Sequence, residues 1–346
     1  MKPALNIAIV RLSAMGDIIH SASVLPLLLE HLKHNYTPKI TWFVDSAFQE
    51  ILQDSPCIDT LVPLPLKTAL KDKNLKMLRS IYQKLKLESF DIALDMQGLL
   101  KSALVCRCIP AKIRAGFQNP REPLAKFFYT KQIPIPYAEH ILLRNATLAF
   151  SAFNLEIPPL QTLKTHPKAF LGFTKQSFDF PPKSNKKILC VLETSKANKT
   201  YPLENFLALA KLFNTQQCTP IFITLKPLEI PQNLQEIAQK TEFYNAHHLS
   251  LAQIKSLISQ MDLVIGGDTG ITHLAWALNK PSITLFGATP QERFNLNTSI
   301  NLSLSANPNA KYQKDDFSIH AIPPEAIFNL ANSLLDDSKL PHKDEE

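Results

Sequence analysis

The chain is 346 residues long, enough for about two domains. Hydrophobic residues make up 45% and charged residues 19%, a composition that builds packed cores and excludes an intrinsically disordered chain. Lys and Arg number 37 against 30 Asp and Glu; the resulting net charge of +7 suits an anionic partner without choosing among nucleic acid, phosphorylated metabolite and anionic membrane.

No run of about 18 apolar residues is present, so no membrane-spanning helix is expected. The first apolar stretch ends at Arg11 and is too short for a secretory leader, which points to the cytoplasm. The five cysteines (Cys57, Cys106, Cys108, Cys190, Cys218) are scattered and odd in number, so no disulfide framework is expected. Cys106 and Cys108 lack a second pair and read as small apolar residues rather than metal ligands. Glycine is scarce, 8 against 26 prolines, and three of the eight (Gly266, Gly267, Gly270) fall within five residues. Glycine is needed where backbones approach closely or φ is positive, so that cluster marks a place of interest.

In chain order, residues 5–10 form an apolar, β-branched run that reads as a buried strand. A turn through Gly16 follows, and a helix is expected from 18 to 32. Strands at 40–44 and 59–64, helices at 47–53 and 70–87, a strand at 90–95 and a helix at 99–106 continue the alternation. Such alternation predicts a parallel sheet with helices on both faces. From 155 to 186 the chain turns rich in Pro, Lys and Ser, which reads as a linker. Strand–helix alternation then resumes: strands at 187–192, 221–225, 263–265 and 282–286, helices at 203–213, 233–240, 251–260 and 269–278, and a last helix at 324–335. Ligands of such sheets bind beyond the carboxyl ends of the strands.

Five constellations carry candidate chemistry. In Asp262–Ala275 a short strand runs through Gly266-Gly267 into a helix. The amides of Thr269, Gly270 and Ile271 are expected free at its N-terminus, suited to a phosphate or to a simple capped turn. Asp268 there either bonds a ligand hydroxyl or caps the helix, and His273, one turn in, reads as a packing or supporting residue. In Ser13–His20, Asp17 stands at the mouth of the first strand–helix turn, where a carboxylate can act as general base or merely satisfy the helix terminus. Asp95, Gln97, Lys101 and Ser102 follow the strand at 90–95 and are placed to line a cleft wall, unless they form an ordinary turn. Glu193–Pro202 offers Thr194, Ser195, Lys196 and Lys199 to a phosphate, or is a solvated loop. Residues 67–86 hold seven Lys and Arg against Asp72 alone, a solvated helix face or a surface for anionic headgroups. Neither G-x-G-x-x-G nor the nucleoside-triphosphate loop motif occurs.

Taken in order, Arg11-Leu12-Ser13-Ala14-Met15-Gly16-Asp17, Asp95-Met96-Gln97-Gly98-Leu99-Leu100-Lys101-Ser102, Arg121-Glu122-Pro123-Leu124, Lys199-Thr200-Tyr201-Pro202 and Asp268-Thr269-Gly270-Ile271-Thr272-His273-Leu274 resemble the lipopolysaccharide heptosyltransferases, an inverting ADP-heptose glycosyltransferase family. The Gln-Gly-Leu-Leu-Lys-Ser and Arg-Glu-Pro-Leu pieces favour the heptosyltransferase I branch over II. The resemblance implies an α/β GT-B architecture, two Rossmann-like domains facing a central cleft. On that pattern residues 1–157 form the acceptor domain, 158–186 the linker, 187–323 the ADP-heptose domain and 324–346 a C-terminal helix and tail.

It also implies metal-independent transfer of L-glycero-D-manno-heptose from ADP-heptose to the Kdo residue of Kdo-lipid A, with no cofactor. By resemblance Asp17 is the catalytic base. Thr194, Ser195, Lys199, Asp268, Thr269, Gly270 and His273 bind the donor. Glu229 stands in for the family's ribose-binding acid, although the usual Trp-Gly turn is replaced by Leu225-Lys226-Pro227. Ser13, Gly16, Lys67, Gln97, Lys101 and Arg121 serve the acceptor. The implied setting is the cytoplasmic face of the inner membrane, with peripheral contact to anionic lipid and no nucleic acid. Alternatives are a related transferase with another core acceptor, as in heptosyltransferase II, a sugar-nucleotide epimerase, or a non-catalytic polyanion binder acting through 67–86.

Overall fold

The protein is described here by a computed structural model, which covers residues 2–166, 170–178 and 186–336. It divides into two compact units, residues 1–173 and 174–346.

In the first unit β1 (Ala4–Val10) is followed by α1 (Met15–Ala22), α2 (Leu25–Lys33), β2 (Thr37–Asp45), α3 (Gln49–Leu52), β3 (Thr60–Leu64), α4 (Leu66–Lys71), α5 (Leu75–Leu85), β4 (Phe90–Asp95), α6 (Leu100–Cys108), β5 (Ala111–Phe117), β6 (Lys131–Ile133), α7 (Ile141–Ala152) and α8 (Leu160–Thr165). All six strands are parallel, in the order β3-β2-β1-β4-β5-β6. β1 and β4 are the central pair, with Val10 opposite Asp95 at their carboxyl ends. Ile7 to Val10 are fully buried, as a strand covered on both faces requires.

Two expected helices are divided. The stretch 18–32 is interrupted between α1 and α2, because Pro26 has no N–H for the turn before it. The stretch 70–87 is interrupted between α4 and α5, where Lys73 takes a left-handed φ of 49° and Asn74 caps α5 by accepting from the Met77 amide. The stretch expected to be a linker begins as a helix, α8, packed on α7. Pro167 and Pro181-Pro182 of that stretch, and the tail from 337 onward, lie outside the described residues.

The second unit runs β7 (Lys186–Val191), α9 (Leu203–Thr215), β8 (Cys218–Ile223), α10 (Gln235–Gln239), β9 (Tyr244–Ala246), α11 (Leu251–Ser259), β10 (Leu263–Gly267), α12 (Gly270–Ala277), β11 (Ser282–Phe286), α13 (Gln291–Phe294), β12 (Asn301–Ser305) and α14 (Pro324–Leu335). Its parallel sheet is ordered β12-β11-β10-β7-β8-β9. Numbered within its own unit, each sheet therefore reads 3-2-1-4-5-6, the doubly wound order of Rossmann-type sheets. In that order the chain reverses direction across the sheet between strands 1 and 4, and a crevice opens at their carboxyl ends. The final helix α14 closes the core of this unit, with Phe328 edge-on to Phe213 of α9 at 5.4 Å between ring centres.

Candidate active site

In each unit most of the predicted site residues follow the strands at the reversal; Lys67, Arg121 and Glu229 follow β3, β5 and β8. In the first unit the chain leaves β1 through Arg11 and Ser13 into α1, and leaves β4 through Gln97 into α6. Gln97 ties the two loops together: its Oε1 accepts from the Leu12 amide at 2.9 Å and its Nε2 donates to Ser13 Oγ at 3.3 Å. Lys101, in the first turn of α6, donates from Nζ to the same Ser13 Oγ at 3.3 Å. Ser13, Gln97 and Lys101 thus form one cluster.

Asp17 lies beside them, with Gly16 in the first turn of α1, which begins at Met15 rather than at the expected residue 18. Its Oδ2 pairs with Arg11 Nη2 at 2.9 Å, and its side chain keeps 41% of its surface exposed. Arg11 itself is buried, and its other terminal nitrogen donates to the Met96 carbonyl, so the guanidinium spans β1 and β4. His20, three residues on in α1, is buried.

Asp95 corrects an expectation. It does not line a wall: it is fully buried and accepts from Ser102 Oγ (2.9 Å), Tyr129 Oη (2.7 Å) and the amides of Gln97 (2.9 Å) and Gly98 (3.2 Å). Burial pushes its carboxyl above the usual range, opposed by those four bonds. Gly98, at φ +69°, makes the turn that aims its own amide and that of Gln97 at this carboxylate. Asp95 therefore shapes the loop that presents Gln97 and Lys101. Lys67 and Arg121 are exposed, Lys67 at the start of α4 with its amide bonded to Asp45 Oδ2 at 3.2 Å, and Arg121 in the bend after β5. Both follow carboxyl ends of strands in the same sheet, and the bonds that build the Ser13 cluster come from Gln97 and Lys101.

In the second unit the loop after β7 meets the loop after β10. Lys199 Nζ bonds Asp268 Oδ2 at 2.5 Å, and His273 Nε2 bonds Asp268 Oδ1 at 3.1 Å. Asp268 and His273 are buried, while the Lys199 side chain retains 19% exposure. Burial would raise the Asp268 carboxyl, but the His273 bond and the Lys199 ammonium outweigh it and hold it well below the usual carboxylate range. Asp268 is thus an anion gripped from two sides, not a cap for α12. The close approach rests on Gly267, where a Cβ would stand 2.2 Å from the Lys199 carbonyl oxygen.

The turn into α12 also departs from expectation at one amide. Thr269 N donates to Thr272 Oγ1 at 3.3 Å, so it is engaged within the turn. Gly270 and Ile271 occupy the first turn of α12, where amides have no intrahelical acceptor. Thr194 Oγ1 is 3.0 Å from Thr200 Oγ1 and donates to the Lys196 carbonyl at 2.7 Å, which rounds the loop over β7. Ser195 is exposed at its tip, and Glu229 is exposed in the loop after β8. Arg11 and Tyr129 support the site without a role expected from the sequence. A cation closing a buried strand six residues before an acid was the available signal for Arg11; nothing local marked Tyr129.

Two Rossmann-type sheets, each with polar loops at its reversal point, define the class of doubly wound proteins that bind ligands beyond the strand ends, and comparison with known proteins narrows it. Residues 78–321 match the profile of Glycosyltransferase family 9 (heptosyltransferase), and the chain belongs to that family. Lipopolysaccharide heptosyltransferase 1 of Campylobacter coli is 34% identical over 96% of this chain and 100% of its own length. Lipopolysaccharide heptosyltransferase 1 of Escherichia coli K12 is 25% identical over 82% of this chain and 88% of its own. Among solved structures, E. coli heptosyltransferase WaaC with ADP superposes with a TM-score of 0.75 at 20% identity, covering 95% of this chain and 100% of that one. A family 9 glycosyltransferase from Veillonella parvula reaches 0.78 at 17% identity, covering 97% and 98%. The fold is that of the GT-B heptosyltransferases.

Proposed function

We propose that this enzyme moves L-glycero-D-manno-heptose from ADP-heptose to the Kdo residue of Kdo-lipid A in lipopolysaccharide inner-core synthesis, with inversion and without a metal. The observation that carries the reading is the Lys199–Asp268–His273 cluster at the mouth of α12, in a chain of the heptosyltransferase family. The names of the relatives in C. coli and E. coli supply the pathway.

In this mechanism Asp17 takes the proton from the acceptor hydroxyl as that oxygen attacks the anomeric carbon of heptose. The bond to the ADP oxygen breaks on the opposite side, which inverts the configuration. Negative charge then grows on the diphosphate. The Lys199 ammonium and the Gly270 and Ile271 amides are the groups that stabilise it, and they are in place before the bond breaks. Thr194, Ser195 and Thr269 add hydroxyls to the phosphates, Glu229 addresses the ribose, and Asp268 addresses heptose hydroxyls with its outer lone pairs. His273 holds Asp268 in orientation. Ser13, Gly16, Gln97 and Lys101, with Lys67 and Arg121, receive the acceptor; the three cations suit its carboxylate and phosphates. No helix among the described residues is long and apolar enough to cross a membrane. The proposed setting is the cytoplasmic face of the inner membrane, reached peripherally.

The test is ADP release from ADP-heptose, with and without Kdo-lipid A, in excess EDTA. Acceptor-dependent release that EDTA leaves unchanged is expected. Release that needs no acceptor would replace the reading with an epimerase or hydrolase, and release abolished by EDTA would end the metal-free mechanism.

A further inference from the structure

We propose that the outer face formed by α4, α5, α6 and the 3-10 turn Pro123–Phe128 is the surface by which this protein lies on an anionic lipid bilayer. The inference rests on the reading above only in that a membrane-held acceptor gives such a surface its use.

The inner sides of these elements are accounted for. Ala69, Ile81, Leu85, Val105 and Cys106 pack α4, α5 and α6 onto one side of the first sheet, and Ala125 and Tyr129 hold the 3-10 turn against Ala103 of α6. Their outer sides therefore belong to one side of the unit. That side mixes two kinds of residue that a merely solvated face does not need together. Between residues 67 and 86 stand seven exposed Lys and Arg against one acid, Asp72. Among and beside them Leu75 and Leu87 are 78% and 79% exposed, and on the 3-10 turn Leu124 and Phe127 are 61% and 72% exposed.

The pattern on α5 is regular. Leu75, Arg79, Tyr82 and Lys86 recur at helical spacing, so they share one outward stripe while Ile81 and Leu85 point inward. Lys86 Nζ lies 5.4 Å from the centre of the Tyr82 ring, an ammonium reaching past an aromatic body. Cations alternating with aliphatic and aromatic side chains fit the headgroup and acyl boundary of an anionic leaflet: the charges meet phosphate and the apolar groups enter a few ångströms below it. A nucleic acid would meet the charges but leave Leu75, Leu87, Leu124 and Phe127 in water.

Position supports the same occupant. α4 leaves the carboxyl end of β3, and Lys101 of α6 reaches Ser13 beyond the carboxyl end of β1. The basic face thus adjoins the edge that carries Asp17, where an acceptor anchored in the same leaflet would arrive.

The test uses the full chain and vesicles of phosphatidylcholine with and without phosphatidylglycerol. Wild type should float with the anionic vesicles only. Lys76→Glu with Arg79→Glu and Lys84→Glu should weaken that binding by about two orders of magnitude. Leu75→Ser with Phe127→Ser should leave binding at low salt but abolish the fraction that resists high salt. Both variants, folded by circular dichroism, should turn over a water-soluble deacylated acceptor like wild type and lose turnover when the acceptor is held in vesicles. Flotation unchanged in the charge-reversed variant, or wild-type retention on duplex DNA but not on anionic vesicles, would overturn the proposal. Absence of turnover on either acceptor, with flotation behaving as expected, would instead overturn the transferase reading and leave this surface standing.

Discussion

Arg11 Nη2 holds Asp17 Oδ2 at 2.9 Å, a buried cation gripping the inner side of a carboxylate whose outer side is open. A general base needs both a fixed direction and access to substrate, and this pair supplies the two from opposite sides. Because Arg11 also donates to the Met96 carbonyl, the direction of Asp17 is tied to the central strands.

Asp17→Asn should therefore lower kcat by about 10²- to 10⁴-fold while ADP affinity and thermal stability stay near wild type. ADP titration by calorimetry beside steady-state ADP release checks this. Loss of ADP binding in a folded variant would move Asp17 to the donor.

Lys199→Met should remove charge stabilisation at the leaving group, a loss of about 10²- to 10³-fold in kcat. It should also destabilise the fold by about 3 kcal/mol, since Asp268 loses the ammonium that pairs with it in a buried place. The pH dependence has a definite sign. The carboxyl of Asp268 is depressed in the folded protein, so the stability it contributes is complete above its unfolded value near about 3.9 and is lost only as pH falls below that, through the lower folded value. The difference in Tm between wild type and Asp268→Asn should be flat from neutral pH to about pH 5 and shrink below about pH 4.

Gly267→Ala should push the loop after β7 away, because the new Cβ would meet the Lys199 carbonyl oxygen at 2.2 Å. A stability loss of about 1–3 kcal/mol in urea is expected, with weaker ADP binding. An unchanged ADP affinity would show that the Lys199 contact does not serve the donor.

Tyr129→Phe deletes one of four donors to the buried Asp95 without changing the ring that packs on α6. About 1–3 kcal/mol of stability should be lost, read from urea unfolding. Turnover should fall far less than in Asp17→Asn, since Asp95 shapes a loop and does not face substrate.

What local sequence could and could not convey is visible in these residues. The strands at 90–95 and 282–286 and the helix at 324–335 coincide with β4, β11 and α14, because long apolar runs between clear breakers leave little choice. The divisions at Pro26 and at Lys73-Asn74 were harder: the apolar spacing continues across both, and only backbone chemistry interrupts it. The short strands β6 and β9 have three residues each, too few for any period to register. In the candidate site, the loops were legible from glycine and polar residues after strands. Partnerships were not. Lys199 and Asp268 are 69 positions apart, and no residue near Asp95 in the sequence announces that Tyr129, 34 positions on, encloses it.

The repeated 3-2-1-4-5-6 order has a consequence for how such enzymes diversify. On the proposed assignment, one half carries the loops that choose the donor and the other carries those that choose the acceptor, and each set hangs from strands whose cores are filled by their own half. Heritable change in one substrate preference need not disturb the framework behind the other. A lineage can retain its nucleotide sugar while shifting to a new core glycan by altering only the crossings after β1, β3, β4 and β5.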